Sequence, residues 1–178
     1  LDVPMFFVYR HKHYTPVGGM TFRTFMREGW NGERATLGDW ELHLSTLFPE
    51  ARLKQYIELR SADAGPVHYV RALSALWRGL FYSEDALQAA WKLVADLSLQ
   101  ERETLRQEVP RTGLMTVLRG KPIAELCAEM LRIASDGLRS LGSDFGVALL
   151  SPLQDAVKAG RCPADDILEA FQAARGDA

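Results

Sequence analysis

The chain has 178 residues, 47% of them apolar and 25% charged, with a formal net charge of −2. That supplies enough apolar surface for a substantial core, and the near-neutral balance with scattered positive residues excludes the electrostatic footprint of a nucleic-acid or acidic-membrane binder. No apolar run reaches the roughly 20 residues of a membrane span.

No signal peptide precedes the first apolar stretch, so a cytoplasmic location is the default expectation. Cys127 and Cys162 show neither metal-ligand spacing nor a disulfide framework, which makes both ordinary small thiols. Leu1 opens the sequence without an initiator methionine, as expected of a chain cut from something longer.

In chain order, residues 4–10, PMFFVYR, are aromatic and β-branched and predict a strand buried on both faces until Tyr9 and Arg10. His11 and His13 would share one face of an extended chain, but two imidazoles do not make a metal site, and a polar strand exit is the simpler reading. A turn follows at residues 16–19, then a short helix from Thr21 closed by Gly29, then a Gly/Asn loop to residue 35. Thr36 with Asp39 resembles a capping box, and the helix it opens should turn Leu37, Trp40, Leu44 and Leu47 inward, leaving His43 solvated.

Residues 51–65, ARLKQYIELRSADAG, are the most informative stretch. Read as one strand over residues 53–60 in the same sheet as residues 4–10, they put Leu53, Gln55, Ile57 and Leu59 on an oily face and Lys54, Tyr56, Glu58 and Arg60 on a polar one. The Cα atoms of Glu58 and Arg60 then lie roughly 6 to 7 Å apart, with both side chains pointing the same way. Such a pair can hold a cation with one member and a phosphate oxygen with the other; a strand whose polar face simply meets water fits the pattern too.

Pro66 should open a helix reaching about Tyr82, with Val67, Val70, Leu73, Leu76 or Trp77, and Leu80 packed on the oily face of the sheet. Ser83 and Ser98 cap two more helices, the second ending before Pro110. Residues 112–120 read as a loop, a lid or docking segment. Helices are then predicted over Pro122–Leu141, Val147–Ala159 and Pro163–Ala174. No Gly-rich phosphate loop, Ser/His/Asp triad or nucleophilic cysteine motif is present.

The segments LDVPMFFVYR, GGMTFRTFM, LGDWELHLSTLFPEARLKQYIELRSADAG and VPRTGL resemble the C-terminal portion of glutamate-cysteine ligases of the kind shared by plants and many proteobacteria. The likeness runs from Leu1 nearly to the end and is strongest over residues 1–82. It implies an α+β fold: a partial antiparallel sheet of a glutamine-synthetase-like catalytic domain at residues 1–65, followed by a mostly helical C-terminal region at residues 66–178.

The resemblance also implies a reaction, in which glutamate, cysteine and ATP give γ-glutamylcysteine through an acyl phosphate, the first step of glutathione synthesis. In that superfamily a Glu-x-Arg strand supplies a metal carboxylate and an arginine on the transferring phosphoryl group. Carried over, Glu58 is a Mg2+ ligand and Arg60 the catalytic and nucleotide-contacting arginine, with Arg10 and Tyr9 as further cofactor-binding residues. Such chemistry needs fixed positive charge rather than a covalent nucleophile.

The family's other metal carboxylates and most of its nucleotide and glutamate contacts precede Leu1, so the missing N-terminal part of the enzyme is an expected partner and the segment alone is expected to be inert. Plant members carry redox-control cysteines in the loop matching residues 15–34, where this chain has Thr15 and no cysteine, so no such switch is expected. Two alternatives stay open: a helical assembly module pairing with a second copy through an open sheet edge as a homodimer, and a ligase of the same kind with another acceptor amine. Neither nucleic acid nor a membrane is an expected partner.

Overall fold

The computed structural model describes residues 1–176 and divides into two compact units, the first Leu1–Asp63 and the second beginning at Ala64. Helices joined with small antiparallel strand pairs make the fold α+β, as expected.

In the first unit, β1 (Phe7–Arg10) pairs with β2 (His13–Pro16) in register Val8↔Thr15 and Arg10↔His13. His11 and Lys12, both at positive φ, make the two-residue turn whose twist suits a hairpin. Residues 4–10 therefore find their partner next door rather than in the strand near residue 58. A two-stranded ribbon covers one face only, so Met5 and Val8 are buried while Phe6 and Tyr9 stay exposed, not the two-sided burial expected.

α1 (Phe22–Glu28) is capped by the Thr21 hydroxyl and stopped at Gly29, whose φ of 78° favours glycine. Phe22 and Phe25 close a core with Met5, Val8 and Val17, flanked by Met20, Trp30 and Trp40. α2 (Leu37–Thr46) has the expected capping box between Thr36 and Asp39. Its inward face differs from the expected stripe, because Leu37 and Leu44 are exposed while Asp39 and His43 are buried. Asp39 is drawn inward by Arg10, and that sets the rotation of the helix.

β3 (Ala51–Leu53) folds back on β4 (Ile57–Leu59) through a turn at residues 54–56, in register Arg52↔Glu58 and Leu53↔Ile57. The single strand expected over residues 53–60 is thus a hairpin. Its oily face is uncovered, with Leu53 83% and Ile57 67% exposed.

The second unit is built on α6 (Ile123–Ser140), with α3 (Val67–Phe81), α4 (Glu84–Val94), α7 (Asp144–Leu149) and α8 (Ser151–Ala159) around it. Its core joins Ala75, Leu80, Ala86, Leu131, Ile133, Ala134, Leu138 and Leu150. The buried residues of α3 are Ala72, Ala75, Gly79 and Leu80, a face set by the crossing with α6; Val67 and Val70, expected to be covered, are exposed. No side chain fits at that crossing, since a Cβ on Gly137 would collide with the Gly79 carbonyl oxygen.

α5 (Leu99–Thr112) runs through Pro110 rather than stopping before it, at the cost of one intrahelical bond, since Pro110 has no N–H to donate to the Arg106 carbonyl. The expected loop at 112–120 is a 3-10 turn at Gly113–Met115 followed by β5 (Val117–Leu118), which pairs with β6 (Lys121–Pro122). Arg119 fastens this hairpin to Asp96 and Glu101. The helix expected over 147–159 breaks at Leu150, with Pro152 opening α8, and α9 (Pro163–Gly176) ends the described chain. No helix among the described residues is long and apolar enough to cross a membrane.

Candidate functional site

The β3–β4 hairpin is what brings chemistry together. Antiparallel pairing puts Arg52 directly opposite Glu58. Two residues further along the chain, Arg60 takes up its position through a backbone hydrogen bond to the Glu50 carbonyl at 2.8 Å. Arg60 Nη1 donates to Glu58 Oε1 at 3.0 Å, so the two predicted residues do share a face. The Arg60 guanidinium also lies 5.7 Å from the centre of the Phe48 ring, which backs the planar group from one side.

The second oxygen of Glu58 is the unusual feature. Oε2 is buried without a hydrogen-bond partner, and Arg52 Nε, also buried and unpartnered, stands 3.9 Å away. That is about 1 Å too long for a charge-assisted hydrogen bond. Arg52 is meanwhile pinned by Nη2, which donates to the Leu47 carbonyl at 2.7 Å. A buried unsatisfied group typically costs about 1–3 kcal/mol, more if charged, so this hairpin holds two uncompensated atoms in van der Waals reach of each other.

The donor set can be tested against a divalent cation. Glu58 Oε2 accepts no hydrogen bond, so the carboxylate keeps unused acceptor capacity of the kind a hard cation takes. Two guanidinium groups flank it, however, and no three His, Cys, Asp or Glu side chains converge anywhere among the described residues. Among the described residues, Glu58 therefore has no two further side chains of this kind beside it. His11 and His13 likewise form no such cluster.

Arg10 is occupied elsewhere. Its Nη1 and Nη2 donate to the two oxygens of Asp39 at 2.6 and 2.9 Å, and its Nε pairs with Glu33. Asp39 also accepts from the Thr36 backbone N–H at 2.9 Å and hydroxyl at 2.7 Å. Burial pushes the Asp39 carboxyl up, but the hydrogen bonds from Arg10 and Thr36 outweigh it and leave it below the ordinary carboxylate value. The same bonds, from Asp39 first and Glu33 second, raise the Arg10 guanidinium further above its ordinary value. Every N–H edge of Arg10 thus faces a protein partner in this structure. Tyr9 is exposed, its ring 4.7 Å from that of Tyr14.

His43, expected to be solvated, is 3% exposed, with both ring nitrogens lacking partners. It stacks on Phe22 at 5.4 Å between ring centres, 17° from parallel. Burial pushes its imidazolium down, keeping the ring neutral. The reason is the same rotation of α2 that buries Asp39.

Reading the sequence alone missed Arg52 as a member of the site. Its even parity with Glu58 and Arg60 is a signal, but the unbroken polar alternation hides the turn at 54–56 that makes it a cross-strand neighbour.

The sequence profile of glutamate-cysteine ligase family 2 matches the chain over residues 1–178. Among curated relatives, a chloroplastic glutamate-cysteine ligase of Brassica juncea is 44% identical over 174 residues, covering 96% of this chain and 34% of the relative. The corresponding enzyme of Medicago truncatula is likewise 44% identical over 174 residues, with the same coverage. Glutamate-cysteine ligase A of Oryza sativa subsp. indica is 43% identical over 175 residues, 97% of this chain and 35% of that protein. The chain spans about a third of the length of these relatives.

All three relatives are chloroplastic by name, which overturns the cytoplasmic expectation drawn from the sequence. An end-to-end profile match, together with relatives more than 40% identical along nearly the whole chain, bears out the resemblance: the chain belongs to glutamate-cysteine ligase family 2.

Proposed function

We propose that this chain forms one wall of the catalytic centre of an ATP-dependent ligase that joins the γ-carboxylate of glutamate to the amine of cysteine, the first step of glutathione synthesis. The observation that carries the reading is the Glu58–Arg60 pair on one face of a hairpin, with Glu58 Oε2 left without a protein donor. Family membership supports the chemistry.

In the proposed reaction a γ-carboxylate oxygen of glutamate attacks the terminal phosphorus of ATP and ADP leaves. The cysteine nitrogen then attacks the acyl carbon and phosphate departs. Arg60 offers two N–H groups in one plane to the phosphoryl oxygens, a geometry that lysine lacks. The Phe48 ring limits the directions in which the guanidinium can turn. Glu58 contributes one oxygen to Mg2+, which when bound neutralises charge on the phosphates. Tyr9, exposed on β1, remains available to line the cleft, whereas Arg10 is committed to Asp39 and Glu33.

The remaining ligands and substrate contacts belong to the part of the enzyme that this chain does not contain, so the segment alone is expected to be inert. The test is γ-glutamylcysteine formation by the complete enzyme carrying Arg60→Lys or Glu58→Gln. Each should lower turnover about a hundredfold, the effect of removing one preorganised charge contact. Retention of parental turnover by both variants would overturn the reading.

A further inference from the structure

We propose that Arg52 is a positioning residue of this ligase, acting through Glu58: it takes over the carboxylate when Arg60 turns to the phosphoryl group. This inference rests on the roles proposed above for Glu58 and Arg60.

As the hairpin stands, Glu58 and Arg60 satisfy each other, since Arg60 Nη1 donates to Glu58 Oε1 at 3.0 Å. A phosphoryl group that engages the Nη1 edge of the same guanidinium competes with that contact. When that contact is given up, Glu58 Oε1 loses its donor, and the carboxylate needs a second group to hold its orientation toward the cation.

Arg52 is built to meet that need. It lies across the strand pair from Glu58, so backbone pairing fixes its distance. The Leu47 carbonyl holds its Nη2 edge at 2.7 Å, which leaves the Nε edge directed at Glu58. Nε and Oε2 are both buried, both without partners and 3.9 Å apart. That gap is too narrow for a bridging water and about 1 Å longer than a charge-assisted bond, so a small rotation of the Glu58 carboxylate closes it. Glu58 thus sits between one guanidinium it touches and one it can reach. The result is a carboxylate that stays aimed while Arg60 works.

An arginine that merely filled the strand would affect stability and leave the chemistry of a folded enzyme alone. The complete ligase carrying Arg52→Ala should therefore lose about 10- to 100-fold in kcat, as outer-shell partners of metal ligands do, with KM for glutamate and cysteine changed less than about threefold. The Mg2+ concentration for half-maximal rate should rise about tenfold. Arg52→Gln keeps a donor for the Leu47 carbonyl but removes the charge, and should show the same losses; it carries the test if the alanine variant does not fold.

In a Glu58→Gln background, adding Arg52→Gln should change kcat by no more than about twofold, because two residues acting as a unit are not additive. Parental kcat and Mg2+ dependence in Arg52→Gln would overturn the inference, and so would a full additional loss in the Glu58→Gln background. If Glu58→Gln itself retains activity, the reading of the site fails first; if Glu58→Gln loses activity while Arg52→Gln does not, only the role of Arg52 fails.

Discussion

Arg10 grips Asp39 with both terminal nitrogens, at 2.6 and 2.9 Å, and in doing so ties the first strand pair to the N-terminus of α2. Asp39 is 4% exposed, so the pair is effectively internal on that side. Removing one partner of such a pair strands the other charge, at a cost of about 3 kcal/mol or more. Arg10→Met should lower the denaturation midpoint of the chain accordingly. Asp39 titrates below its ordinary value of 3.8 in the folded chain, so the unfolded state binds more protons as acid is added. Its stabilisation is complete above about pH 4 and is lost as pH falls further. Urea midpoints measured between pH 2 and 5 should show this slope in the parent and lack it in Asp39→Asn.

Much of the helical architecture was legible beforehand, and the parts that were not share one cause. Helix starts were carried by local chemistry: Thr36 with Asp39, the hydroxyls of Ser83 and Ser98, and Gly29 at a stop are signals spanning a few residues. Facing and pairing depend on distant groups. Leu37 and Leu44 follow helical spacing as well as any inward stripe, yet Arg10 fixes α2 the other way round. The polar alternation from Lys54 to Arg60 matches one long strand, but three residues of it make a turn. Glu58 and Arg60 share a face in either arrangement, because both lie beyond that turn, which is why the centre of the site could be read while Arg52 could not.

The second prediction concerns His43. Both its nitrogens are buried without partners against Phe22, and burial pushes its imidazolium below the ordinary value of 6.5. A base with a lowered folded pKa binds fewer protons than the unfolded chain, so stability is complete above about pH 6.5 and falls as pH drops through the window below it. The slope reaches at most about 1.4 kcal/mol per pH unit. His43→Leu removes the unsatisfied nitrogens and should stabilise the chain by about 1 kcal/mol at neutral pH. Comparing urea midpoints at pH 7.5 and 5.5 checks both points: the parent should lose stability on acidification and the leucine variant should lose markedly less.

A third concerns the crossing of α3 and α6. A Cβ at position 137 would meet the Gly79 carbonyl oxygen and stand 2.9 Å from the Ala86 Cβ. Alanine ordinarily favours a helix over glycine by about 1 kcal/mol, whereas overpacking costs about 1–3 kcal/mol and more where backbone must move. The clash should win, so Gly137→Ala is expected to destabilise by about 2 kcal/mol. Gly142→Ala controls for composition, having open space around it but a φ of 66° that adds strain of its own. A thermal midpoint for Gly137→Ala equal to the parent's would mean that the helices separate at little cost.

The last prediction returns to the site. Phe48 is exposed, yet its ring lies 5.7 Å from the Arg60 guanidinium carbon, an arrangement worth about 0.5–1 kcal/mol at an accessible position. If the ring serves to restrict Arg60, Phe48→Leu keeps apolar bulk but removes the π face, and kcat of the complete enzyme should fall about three- to fivefold with folding unaffected. Phe48→Tyr should keep the parental rate. Combined with Arg60→Lys, the leucine substitution should add little, since it acts on a group already replaced. A full additional loss in that background would show Phe48 working on something other than Arg60.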